Sequence, residues 1–253
     1  VSANVIEGMA VEIAGDGVPA ICVHGLGGTS NTFAPQMEAL RSMRVIRLDL
    51  PCAGRSTLID NPTIPGFVTA VAKLADTLGV KAAHFLGHSM GTLICQHLAV
   101  ERPELVKSLV LFGALTEPTQ AGRDAFRERA RNARAGGMSA IADTVCERST
   151  AAETKSRNPA AVAFVRETIL RQSPEGYARS CEALAESYAA DVSRIRVPTL
   201  MITGDEDAST PPSMARELAS RIAGARAMIV PRCGHWPTIE RAHEVNAELK
   251  RFY

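Results

Sequence analysis

A chain of 253 residues with 46% hydrophobic and 22% charged residues is long enough to bury one full core and carry an inserted lobe. Its formal net charge of +1 points away from nucleic acid and anionic membranes as partners, and no apolar run reaches membrane-spanning length. Six scattered cysteines without a C-x-x-C pair read as reduced, buried thiols, not as a disulfide framework or a metal site.

In chain order, Val1 to Glu7 lacks a basic and an apolar region, so no signal peptide is expected. The opening valine reads as a trimmed start, and the cysteine usage makes the expected location cytoplasmic. Val5–Met9 and Val11–Ile13 read as short strands before the turn Ala14-Gly15-Asp16-Gly17. Ala20–His24 is a continuous apolar run, the pattern of a strand covered on both faces. It ends in the loop His24-Gly25-Leu26-Gly27-Gly28. Asn31–Leu40 is predicted as a helix, Arg44–Leu48 as a strand, and Asp49–Ser56 as a loop. Phe67, Val71, Leu74 and Leu78 stand at helical spacing within Gly66–Leu78.

Ala82–Gln96 organises the rest. An apolar strand runs into Gly87-His88-Ser89-Met90-Gly91, and a helix follows through Glu101. This is the order of a nucleophile elbow, in which a sharp turn exposes the serine hydroxyl at the edge of a sheet. The alternative for Ser89 is an ordinary turn or N-cap serine. Val106–Phe112 is the next strand. From Thr116 to Asp191 the pattern becomes helix after helix, with Phe126–Ala135 and Ala160–Arg171 the clearest. Alternation resumes with a strand at Val197–Thr203, a helix at Pro212–Ile222, a strand at Arg226–Val230 and a helix at Glu240–Phe252. The expected fold is α/β, a doubly wound, mostly parallel sheet. Residues 1–115 and 192–253 form its core, and residues 116–191 form a helical cap.

Three segments carry chemistry in company with Ser89. The glycine-rich loop after Val23 lets backbone N–H groups approach a reacting carbonyl, and Leu26 and Met90 are the expected oxyanion donors. A phosphate loop is the rival, but neither G-x-G-x-x-G nor G-K-[ST] is present. Gly204-Asp205-Glu206-Asp207 supplies a carboxylate to orient a base. Asp207 is the choice there, with Asp205 and Glu206 as solvated loop charges. Cys233-Gly234-His235-Trp236 supplies the base, His235, in the order Ser, Asp, His. His24 and His88 read as structural loop neighbours. His84 falls in a strand, His97 on the helix after the elbow, and His243 on the last helix, exposed.

Taken together these segments resemble the α/β-hydrolase superfamily over nearly the whole chain. Within it, Arg134–Met138 with Ala140–Asp143, Pro174–Ala178 and Val197–Leu200 are most similar to 3-oxoadipate enol-lactone hydrolases and related small carboxylesterases. The resemblance implies Ser89 as nucleophile, Asp207 as orienting acid and His235 as base, with Leu26 and Met90 forming the oxyanion hole. It implies a small-molecule ester or lactone substrate, no cofactor and no metal. Gly25 and Trp236 are expected to border the substrate pocket. Two departures stand out: Thr92 follows Gly91 where the family often doubles the glycine, and the cap has no tryptophan. An enol-lactone with a free carboxylate would call for a cationic cap residue, and Arg123, Arg127, Arg131 and Arg134 are the candidates. A C–C bond hydrolase and a perhydrolase share the same triad, and a ligand receptor shares the fold. The exposed cap helices are where a homodimer would form.

Overall fold

Strands β1 (Asn4–Ile6) and β2 (Met9–Ala14) open the chain as an antiparallel hairpin. The parallel strands are β3 (Val18–Val23), β4 (Met43–Leu48), β5 (Ala83–His88), β6 (Val106–Phe112), β7 (Thr199–Gly204) and β8 (Arg226–Val230). They form one sheet in the order β1-β2-β4-β3-β5-β6-β7-β8. This is a computed structural model that describes residues 4–253. Residues 1–3, the start of the Val1–Glu7 stretch, lie outside the described residues.

The sheet is apolar on both faces because both are covered. Ile21, Val23, Phe85, Leu109, Leu111 and Met201 join one buried cluster. Their alternating neighbours Ala20, Cys22, Leu86, Val110, Phe112 and Leu200 join another. The first cluster lies under α1 (Ile64–Thr77), α2 (Met90–Glu101) and α8 (Pro212–Arg221). The second lies under a 3-10 segment (Ser30–Gln36) and α10 (Ala242–Phe252). Each such side chain taken from water contributes about 1.5–3 kcal/mol, which is why continuous apolar runs suit these strands.

Between β6 and β7 the chain forms α3 (Gln120–Gly136), α4 (Ser139–Ser149), α5 (Ala152–Arg157), α6 (Pro159–Leu170) and α7 (Pro174–Ala185). Caps set several of these starts. Thr119 accepts from Gly122 N–H, Asn158 from Ala161 N–H and Ser173 from Gly176 N–H, and Pro159 and Pro174 occupy first-turn positions where no N–H is needed. The insert has its own apolar cluster, including Ala133, Ile141, Val165, Ile169 and Tyr177, which closes on Trp236 and Ile239 of the sheet domain.

Two local expectations fail for physical reasons. The predicted helix Asn31–Leu40 is a short 3-10 segment ending at Gln36, because Pro35 lacks an N–H to continue an α-helix. The predicted strand Val5–Met9 is broken at Glu7 and Gly8, both at positive φ (52° and 75°), which make the hairpin turn. The terminal helix is also split. A single turn, α9 (Pro237–Glu240), precedes α10. All six cysteines are buried and unpaired. Among the described residues no helix is long and apolar enough to cross a membrane.

Candidate active site

Strand order reverses at β3 and β5: β4 lies beyond β3, while β6 lies beyond β5. The crevice at the carboxyl ends of such a pair is where open α/β sheets place ligands. The loop after β3 holds Gly25 and Leu26, and Ser89 follows β5 directly. Ser89 has φ 51° and ψ −117°, a conformation rarely adopted by a residue with a side chain. Its side chain makes no bond to the N-terminus of α2, so the N-cap reading does not hold, and it stays partly exposed. The turn can be this tight because Gly91 passes against β3. A Cβ there would lie 2.0 Å from the Val23 carbonyl oxygen. Thr92 holds the turn, donating to Ser89 O at 2.6 Å and accepting from Leu115 N–H at 2.8 Å.

Asp207, 3% exposed after β7, accepts from Ser209 N–H and Thr210 N–H at 2.9 Å each and from the Thr210 hydroxyl at 2.7 Å. Nδ1 of His235 lies 2.8 Å from its other partner atom, Oδ2. A carboxylate only accepts, so the imidazole proton sits on Nδ1 and Nε2 is left as a base. Burial works against a charged His235, but the Asp207 charge and hydrogen bond outweigh it and raise the imidazole pKa. Burial likewise works against ionised Asp207, and the His235 and Thr210 contacts outweigh it and lower the carboxyl pKa. The His235 ring lies over Gly113, at the end of β6 next to β5. Asp205 and Glu206 are exposed and hold loops together: Asp205 accepts from Cys233 N–H, and Glu206 from Ala152 N–H.

The loop after β3 is organised by His24. Leu50 N–H donates to its Nε2 at 2.8 Å, so the proton sits on Nδ1, which donates to Gly25 O at 2.8 Å. Gly28 N–H donates to the same oxygen at 3.0 Å. The Leu26 N–H, trans to that carbonyl, points the opposite way. Neither Leu26 nor Met90 N–H donates to an acceptor among the described residues. Gly25 lies against the elbow, and a Cβ on it would be 2.7 Å from Ser89 Cβ. The site thus brings together a strained serine hydroxyl, a base with an oriented proton, and two free N–H groups.

Trp236 is placed differently from expectation. It is 2% exposed, its indole N–H donates to Ser149 Oγ at 2.9 Å, and it joins the cap cluster. It fastens the cap and does not border open space. His235 N–H donates to Ser149 O at 2.7 Å in the same seam. His88, the last residue of β5, donates from Nε2 to the carbonyl oxygen of His235 at 2.7 Å, and burial pushes its own pKa down to about 3. His88 is thus a neutral clamp on the His235 loop. Gln172, also buried, spans from cap to loops: Oε1 accepts from Gly54 N–H at 3.0 Å, and Nε2 donates to Thr168 O at 2.9 Å and to Gly27 O at 3.3 Å. Thr210 and Gln172 were not singled out in the sequence, since lone polar residues in a loop and at a helix end give no signal. A cavity of about 310 Å³ lies between Arg55, Phe164 and Arg171, but Ser89, Asp207 and His235 do not line it.

The comparisons agree with this fold. A (E)-2-((N-methylformamido)methylene)succinate hydrolase of Acinetobacter baylyi is 27% identical, over 93% of this chain and 90% of its own length. The enol-lactonase from Burkholderia xenovorans LB400 superposes with a TM-score of 0.88 at 30% identity, covering 100% of this chain and 98% of its own. A thermophilic esterase from Thermogutta terrifontis, solved with malate bound, gives 0.92 at 26% identity, covering 96% and 92%. The family model for the alpha/beta hydrolase fold matches residues 19–242, which takes in β4 to β8 and the whole helical insert. The chain therefore belongs to the α/β-hydrolase family.

Proposed function

We propose that the chain is a serine hydrolase that cleaves a carboxylic ester or lactone through an acyl-enzyme. The observation that carries this is the 2.8 Å contact of buried Asp207 with His235 Nδ1, next to a serine in the strained elbow conformation. His235 Nε2 takes the Ser89 proton as Oγ attacks the carbonyl carbon. The oxyanion sits between the Leu26 and Met90 N–H groups. His235 passes its proton to the leaving oxygen, and the acyl-enzyme forms. Water, deprotonated by His235, then adds to the acyl carbon, and Ser89 leaves. No step requires a cofactor.

The fold neighbour named as an enol-lactonase supports the lactone form of this reading. A second reading is amide cleavage by the same steps, favoured by the N-methylformamido group in the name of the Acinetobacter relative.

Steady-state hydrolysis of p-nitrophenyl acetate, p-nitrophenyl butyrate, a simple lactone, a carboxylated enol-lactone and a formamide decides between them, with Ser89→Ala as background. Ester or lactone turnover that survives in Ser89→Ala ends the mechanism.

A further inference from the structure

Helices α4 and α5 meet at a corner, Ser149–Ala152, with Thr150 in extended conformation between them. Such a junction leaves carbonyls without partners at the end of the first helix and N–H groups without partners at the start of the second. Here the loops that carry His235 and Asp207 supply those partners. Ser149 O accepts from His235 N–H at 2.7 Å. Ala151 N–H donates at 2.8 Å to Glu240, at the end of α9, and Ala152 N–H donates at 2.9 Å to Glu206, next to Asp207. Ser149 adds its side chain: Oγ accepts from the Trp236 indole at 2.9 Å and donates to Val145 O at 2.6 Å. A Cβ on Gly234 would collide with Ser149 O and Ala151 N, so only a glycine lets the His235 loop lie this close to the cap.

The main chain of His235 is therefore fixed from two sides. Its carbonyl oxygen is held by His88 at the end of β5, and its N–H is held by Ser149 of the cap. The Ser149 hydroxyl holds the next residue as well, through the Trp236 indole. Ser149 is 6% exposed and Trp236 2%, so water does not replace that bond once it is lost. A general base works only within hydrogen-bond reach of the proton it takes, so a small displacement of this peptide would be felt as rate.

We propose that Ser149 is a positioning residue for the base: through Trp236 and the main chain of His235, it sets where the imidazole stands relative to Ser89. The proposal rests on the hydrolase reading above. It makes this corner of the cap a fixed part of the catalytic framework.

The test is a double-mutant cycle on p-nitrophenyl acetate hydrolysis. Ser149→Ala removes the bond to the indole from the cap side, and Trp236→Phe removes it from the loop side. Each should lower kcat by about 2- to 10-fold, the range of one neutral hydrogen bond, with KM unchanged. The double variant should be no slower than the slower single one, because both lose the same bond. A second readout needs no turnover. The His235 Nδ1 proton, in its 2.8 Å bond to Asp207, should give a far-downfield proton NMR resonance that Asp207→Asn removes, and Ser149→Ala should shift it. An unchanged kcat in Ser149→Ala, losses that multiply in the double variant, or an unmoved resonance overturns the proposal. Should Ser149→Ala not fold, Trp236→Phe is read alone: a lower kcat with a shifted resonance supports the proposal, and an unmoved resonance overturns it. If the wild type turns over no ester above the Ser89→Ala background, the hydrolase reading fails on its own, and the resonance still decides for Ser149.

Discussion

The hydroxyl of Thr92 donates to the carbonyl oxygen of Ser89 at 2.6 Å and accepts from the N–H of Leu115 at 2.8 Å. It therefore ties the strained elbow to the loop that leaves β6. Thr92→Val keeps the shape and removes both bonds, leaving the buried Leu115 N–H unpaired. The expected loss is about 1–3 kcal/mol of stability, with kcat reduced more than KM changes. Urea unfolding and steady-state kinetics on an ester check both. An unchanged kcat would mean that the glycine contacts alone hold the turn.

How much of this was legible in the sequence depends on distance along the chain. Ser89 and its flanking glycines were readable because the elbow is local: strand, turn and helix follow one another. His235 and Asp207 were readable only through their order and loop positions, since the 2.8 Å contact joins residues 28 apart. The helical insert was readable as a change of period, but its inward faces were not. Arg123, Arg127, Arg131 and Arg134 read equally well as cap cations in the sequence, but Arg123, Arg127 and Arg134 are ion-paired and Arg131 is exposed, because facing is set by how α3 packs on α7. Trp236 looked like a pocket residue by its place next to His235. The bond to Ser149, 87 residues away, puts it in the cap seam.

The pH profile should carry the signature of the Asp207–His235 pair. The proposed mechanism needs neutral Nε2, so kcat/KM should fall as pH drops through the His235 pKa. That pKa is raised above the ordinary imidazole value, with burial opposing and Asp207 prevailing. In Asp207→Asn burial is left opposed only by the smaller pull of Glu240, so the imidazolium is disfavoured. The acid limb should move to lower pH, and the plateau should drop by about 10³–10⁴-fold because the tautomer is no longer fixed. A limb that does not move would separate Asp207 from the base.

Glu240 should matter for stability out of proportion to its chemistry. Its carboxylate is 4% exposed and accepts from Ala151 N–H at 2.8 Å, the Thr154 hydroxyl at 2.7 Å and Trp236 N–H at 3.0 Å. Glu240→Leu fills similar space and leaves those donors without an acceptor. At about 1–3 kcal/mol for each buried unpaired group, the expected loss exceeds 3 kcal/mol, read as a lower urea midpoint. Glu240→Gln, which keeps one acceptor, should fall between.

Arg134 offers the opposite case. It bridges Glu175 and Glu182 across the cap, but its side chain is 37% exposed and those of the two glutamates are 38% and 45%. Solvent screens such pairs, so Arg134→Ala should change stability by less than about 1 kcal/mol. The small effect should shrink further in 0.5 M salt. A loss as large as that of Glu240→Leu would show the α3–α7 contact to be held by charge and not by its apolar face.

Gln172 links the cap to the loops on which Leu26 and Asp49 lie, and its two ends do different work. Its oxygen accepts from Gly54 N–H, and its nitrogen donates to the carbonyls of Thr168, Gly27 and Gly28. Gln172→Leu removes all of these and should lower stability by about 1–3 kcal/mol and kcat by about tenfold, since the loop proposed to hold the oxyanion loses its tie to the cap. Gln172→Glu keeps the acceptor for Gly54 but sets a carboxylate against three carbonyl oxygens. Burial and those oxygens favour the protonated acid, so the folded-state pKa of the new carboxyl lies above its unfolded value. Its contribution is then fully present below the unfolded pKa and is lost as pH rises through the folded one. Relative to wild type, Gln172→Glu should therefore be clearly destabilised at pH 8 and recover toward pH 5, whereas Gln172→Leu should show the same deficit at both. Parallel urea unfolding at the two pH values decides the matter. A Gln172→Glu deficit that does not change between the two pH values would mean that the carbonyls of Thr168, Gly27 and Gly28 do not bear on this position.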